Sequence, residues 1–140
     1  MTVVQMRIYR PMSVTELRRL AERDALEPAP FAAYTVTAGL RREHPGADEE
    51  ELEYLAFTDA VTTGLADGAA RVVAAADLDE ELVDANHGGG TTTVVRVIAP
   101  VPRRQVASFH VADPSAAGGT PELSWYDATE LDVVVDLLTS

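Results

Sequence analysis

The stretch VVQMRIYRPMSVTELRRLA, residues 3–21, changes its hydrophobic period partway along. Val4, Met6 and Ile8 alternate with Gln5, Arg7 and Tyr9, which is the period of a strand with one face turned to a core. Pro11 is expected to end that strand, because proline brings no N–H to a ladder. From Ser13 onward the period becomes helical. Ser13 and Glu16 have the spacing of a capping box, Met12 and Leu17 occupy the positions of a hydrophobic staple, and Val14, Leu17, Leu20 and Ala21 form a stripe. A strand that runs straight into a capped helix commits the chain to both kinds of element.

Outward from there, Pro28 and Pro30 bound the helix, and PFAAYTVT (30–37) reads as a second strand from its aromatic and β-branched content. A short helix over AGLRREH (38–44) stops at Pro45 and Gly46. The longest helix is predicted from about Asp48 to Asp67, with Asp48 and Glu51 spaced as a capping box and four acids at the positive end of the helix dipole. RVVAAADL (71–78) is apolar enough for a central strand. DEELVDANHGGGTTT (79–93) reads as a helical turn and a glycine-rich loop, VVRVIA (94–99) and RQVASFHV (104–111) as strands joined through PVP, and DPSAAGGTP (113–121) as a loop. ELSWY (122–126) is a last strand. Asp127 and Glu130 cap a final helix, with Tyr126 against Leu131 as staple and Leu131, Val134 and Leu138 as its stripe. This order predicts an α+β fold in one domain over residues 1–140: a mixed sheet of five or six strands with three or four helices packed on it.

Composition removes whole classes of chemistry. The chain has no cysteine and no lysine, and all 11 of its basic residues are arginine. Thiolate nucleophiles, cysteine zinc sites, lysine Schiff bases and the P-loop lysine are therefore excluded. Twenty-three acids set the net charge at -12, which repels nucleic acid and anionic membranes and suits a basic protein partner. The N-terminus lacks the basic and apolar regions of a signal peptide, and no apolar run reaches membrane-spanning length, so a cytoplasmic location is expected.

Candidate site residues follow from placement. Asp59 falls on one stripe of the long helix with Leu52, Leu55 and Ala56, while Tyr54, Phe57, Val61 and Leu65 cluster opposite. A helix apolar on two sides is expected to be sandwiched, which would part-bury Asp59 and call for an arginine partner among Arg7, Arg10 and Arg71. His110 sits at a strand end with Ser108 on the same face and Asp113 nearby, the makings of a general base. Arg103 and Arg104 suggest an anion clamp with Arg10 or Arg96, and Trp125 stands at a strand-to-helix junction where aromatics line pockets or interfaces. Glu49 and Glu53, four apart, are adjacent carboxylates but lack further ligands, and read as a solvated helix end. NHGGGTT (86–92) lacks the P-loop pattern and reads as a connection. No metal set and no cofactor loop emerges.

Five segments together resemble a known group: MRIYRP (6–11), APFAAYTVTAGLR (29–41), DEEELEYLAFTDA (48–60), RVVAAADL (71–78) and WYDATEL (125–131). The chain resembles a family of small uncharacterised proteins from high-GC actinobacteria. That resemblance implies one domain from Met6 onward, with residues 1 to 5 as a non-core extension. It carries no assigned activity and hence no residue roles.

Two functions are consistent with these features. The first is a non-enzymatic domain acting through a protein partner or its own dimer. The alternative is a small-molecule or anion-binding protein, or a metal-independent acid-base enzyme, with Asp59 or His110 and with Arg10, Tyr9 and Tyr34 around one pocket. A nucleic-acid mimic is a weaker third, since the acids are interspersed with arginine.

Overall fold

The structure, a computed structural model, describes residues 5–66, 68–84, 93–112 and 123–139. The strands are β1 (Gln5–Met12), β2 (Ala25–Leu26), β3 (Phe31–Thr35), β4 (Val72–Asp79), β5 (Val83–Asp84), β6 (Val94–Val97), β7 (Val101–Pro102), β8 (Val106–Ala112) and β9 (Leu123–Asp127). The α-helices are α1 (Val14–Arg23), α2 (Ala38–Glu43), α3 (Glu49–Thr62) and α4 (Leu131–Thr139). The fold is α+β, as the sequence predicts.

The sheet differs from the expectation of a mixed sheet with five or six strands. Seven strands run in the order β5-β6-β3-β1-β4-β8-β9, every neighbouring pair is antiparallel, and β2 and β7 form a separate two-stranded ribbon. Hydrophobic period reveals that a strand exists but carries nothing about its direction. The extra strand β5 is two residues long, too short to show a period, and is defined only by pairing Val83 with Val97 and Asp84 with Arg96.

Pro11 does not end β1, which continues to Met12 beside β4. The β1–β3 register covers only Ile8 and Tyr9, so the proline lies where β1 is paired on one side and its missing N–H costs no ladder bond. The capping box at α1 forms: Glu16 N donates to Ser13 Oγ at 3.2 Å and Ser13 N to Glu16 Oε1 at 2.9 Å. At α3, Asp48 Oδ1 accepts from Glu51 N at 2.9 Å. The helix stops at Thr62, short of Asp67, and in the turn that follows Gly64 comes so close to β1 that an added Cβ would meet the Pro11 ring and the Ala60 carbonyl. The Asp127–Glu130 box caps a 3₁₀ turn (Ala128–Glu130) that leads into α4.

Two unequal cores flank the sheet. The larger gathers Ile8, Met12, Leu78 and Phe109 from the strands with Leu17 and Leu20 of α1 and Leu131 and Val134 of α4. The smaller lies under α3, where Ala56, Ala60 and Val61 meet Tyr9, Tyr34, Val73 and Ala75. The small alanines let one helix settle against the strands. α3 is not sandwiched: Leu52, Ala56, Ala60 and Val61 are buried, whereas Tyr54 is 69% exposed. Its main contacts are with β3 and β1 rather than with β8 and β9. No described helix is long and apolar enough to cross a membrane.

Candidate binding cleft

Strand alternation and register decide what stands beside α3. Arg7 and Tyr9 of β1 face the same way. Across the ladder they meet Asp77 and Ala75, Ala75 meets Ser108, and His110 meets Trp125. Together with Glu50, Glu53, Tyr54 and Phe57 of α3, all of these groups except Asp77 line a cleft of about 280 Å³. Trp125, 60% exposed, and Tyr54 stand at its rim. Tyr9, Phe57 and His110 form its inner wall in a chain of tilted rings, with centroids 5.4 Å apart from Tyr9 to Phe57 and 4.7 Å from Phe57 to His110.

The charges in the cleft are unequally committed. Arg7 donates from Nε and Nη2 to the two Asp77 oxygens at 2.7 and 2.8 Å, a bidentate pair that raises its pKa. Burial, and after it the nearby Glu53 carboxylate, pushes the Tyr9 phenol up to about 12, so it stays protonated. Burial and then the Arg7 charge lower the pKa of His110, which favours neutral imidazole. Its Nε2 lies 3.1 Å from Ser108 Oγ. Glu50 and Glu53 make no salt bridge among the described residues.

A second hollow of about 430 Å³ shares Arg7 and Glu53 with the first and extends past Thr37, Arg41 and Glu49. There Arg41 grips both Glu49 oxygens at 2.8 Å and holds that carboxyl below its usual pKa. Glu49 is thereby taken up by an ion pair rather than by its neighbour Glu53.

The other candidates are dispersed. Asp59 accepts at Oδ2 from the Thr93 hydroxyl at 2.6 Å, and Thr93 O in turn accepts from Thr35 N at 2.9 Å, so this carboxylate ties α3 to the strand beside it. Of the three expected arginines, Arg7 pairs with Asp77, Arg10 pairs with Glu16, and Arg71 lines a separate hollow with Val111 and Tyr126. Tyr34 packs in the small core, its pKa raised by burial and then by Asp59.

Arg10 is next to Tyr9 in sequence but on the opposite sheet face, only 3% exposed. Its guanidinium lies 4.1 Å over the Phe31 ring and donates to Glu16 Oε2 at 2.8 Å. Burial lowers its pKa, against the opposing pull of Glu16. It therefore does not converge with Tyr9, Tyr34 or His110. Arg103 and Arg104 line a separate hollow of about 560 Å³, where Arg103 Nη1 reaches Asp24 Oδ1 at 3.5 Å. Asp113, His87 and the NHGGGTT segment lie outside the described residues. Among the described residues no three His, Cys, Asp or Glu side chains group to hold a metal ion.

Arg7, Glu50, Glu53, Tyr54 and Phe57 are cleft residues that the sequence pattern does not single out as such. One signal was available: Glu50, Glu53, Tyr54 and Phe57 recur at helical spacings of three and four, and so share one face of α3. Which strands that face overlooks depends on long-range pairing. No curated protein and no solved structure matches the chain. The model of a family of unknown function (DUF6912) matches residues 6–120, a span that takes in every residue of the cleft except Trp125, and the chain belongs to that family.

Proposed function

We propose that this chain is a non-enzymatic, cytoplasmic domain that acts through a protein partner or a second copy of itself, with the α3-side cleft as its contact surface. One observation carries the reading: Trp125 and Tyr54, both large and both mostly exposed, stand over a single cleft walled by Tyr9 and Phe57. Tryptophan and tyrosine are among the side chains enriched where binding energy concentrates once a partner covers them. The net charge of -12 favours basic partners and disfavours nucleic acid and anionic membrane. The test is partner capture on immobilised full chain, beside sizing of the free protein, with Trp125→Ala and with Val133→Ala on α4 as control. Captured proteins or a dimer lost with Trp125→Ala and kept with Val133→Ala support the reading. Identical behaviour of all three proteins overturns it.

A second reading rests on the 3.1 Å contact between Ser108 Oγ and a His110 that favours its neutral form. A hydroxyl and a neutral imidazole are the nucleophile and base of an acyl-transfer site. Against it, β8 is paired on both sides, by β4 and β9, so its backbone N–H groups serve ladders rather than an oxyanion. Ester hydrolysis by the wild type that Ser108→Ala abolishes would establish it, and equal rates would remove it.

A further inference from the structure

We infer that the α3-side cleft is built to receive the guanidinium of an arginine side chain from a protein partner. This rests on the interaction reading above and names what the cleft recognises.

Four aromatic rings, Tyr9, Tyr54, Phe57 and Trp125, line one small hollow. Aromatic faces are electron-rich and attract cations, most strongly where water is partly excluded. Two carboxylates, Glu50 and Glu53, line the same hollow three residues apart on α3, and neither has a salt bridge among the described residues. The one resident cation, Arg7, is neutralised by its bidentate pair with Asp77 at 2.7 and 2.8 Å. The other basic group, His110, is disfavoured in its charged form by burial and by Arg7. What remains is aromatic surface with uncompensated negative charge, and its complement is a cation with flat faces.

The opposite face of the same sheet holds that complement already assembled. Arg10 lies 4.1 Å over the Phe31 ring while Glu16 accepts its Nη2 proton at 2.8 Å. Ring, guanidinium and carboxylate meet there within one chain, with Nη2 on Glu16 and only Nη1 left buried without a partner. The cleft offers rings and carboxylates without the guanidinium. Arginine fits better than lysine because its cation is planar, weakly hydrated and able to stack and to hydrogen-bond a carboxylate at once, whereas an ammonium holds its water tightly. A side chain on a protein suits the open rim, where Tyr54 and Trp125 offer area for the flanking chain.

Trp125 is the only tryptophan, so its fluorescence reports on the cleft directly. The full chain is titrated with acetyl-Gly-Arg-Gly-amide, with the citrulline peptide that keeps shape and loses charge, and with the lysine peptide. The arginine peptide is expected to bind with a Kd of about 1 mM or tighter, roughly tenfold tighter than citrulline. Glu53→Gln is expected to weaken the arginine peptide about fivefold and leave citrulline unchanged, while Glu22→Gln on α1 changes neither. Equal binding of arginine and citrulline peptides overturns the cation assignment and leaves the cleft as an uncharged contact. No response to any peptide up to about 10 mM also overturns it. Whether the interaction reading falls with it is decided separately, by whether partner capture still depends on Trp125.

Discussion

The two faces of the central sheet do opposite things with the same kinds of residue. On one, α1 and α4 close over Ile8, Phe109 and Met12, and a single arginine is sealed in with its ring and its carboxylate. On the other, α3 packs on β3 and β1, and among the described residues tyrosine, tryptophan, histidine and glutamate stand around an open cleft. Complete cover puts side chains to work on stability. Partial cover leaves them free for a ligand.

Substitutions should divide along that line. Phe109→Ala, in the sealed core, is expected to cost about 3–5 kcal/mol in urea unfolding, and a loss below 1 kcal/mol would mean that this face is not the main source of stability. Glu16→Ala should cost about 2 kcal/mol, since it strands a buried guanidinium and opens the capping box, and Arg10→Met should cost less because it removes the charge together with its need for a partner. If Arg10→Met is the worse of the two, the stack on Phe31 outweighs the ion pair. Gly64→Ala tests how closely α3 is seated on β1; about 1–3 kcal/mol of destabilisation is expected from the clash with Pro11 and Ala60.

Smaller effects belong to the open face. The pKa of His110 is depressed from 6.5 in the folded chain, so the fold prefers the neutral ring. Its contribution is complete above about pH 6.5 and is lost as the pH falls through the lowered value, because only the unfolded chain takes up the proton in that interval. Stability measured across that range should fall less steeply toward acid in His110→Asn than in the wild type; an unchanged slope would deny the depressed value. Last, Trp125→Ala should move stability by no more than about 0.5 kcal/mol while removing cleft binding. A large loss of stability would place Trp125 with the structural residues.

The sequence made local features legible and left global ones hidden. The start of α1 after Ser13, the capping box at Ser13 and the box at Asp127 depend on neighbours within a few residues, and they stand where the pattern put them. The antiparallel order of the sheet, the two-residue strand β5 and the ribbon of β2 with β7 depend on partners far away in the chain. Period two also separates the groups expected around one pocket. Tyr9 and Arg10 are consecutive in a strand and must face opposite ways, whereas Arg7 and Tyr9, or Ser108 and His110, share a face. An exposed tyrosine counts as apolar in a helical wheel, which does not distinguish Tyr54 at a rim from a residue in a core.

Glu16 gives this architecture a further property. One of its oxygens holds the Ser13 amide that starts α1, and the other holds the Arg10 guanidinium on β1. The signal that begins the helix is thus wired to the strand before it. Either element opening alone would cost that carboxylate a partner, so the strand end and the first helical turn should exchange their amide hydrogens as one cooperative unit.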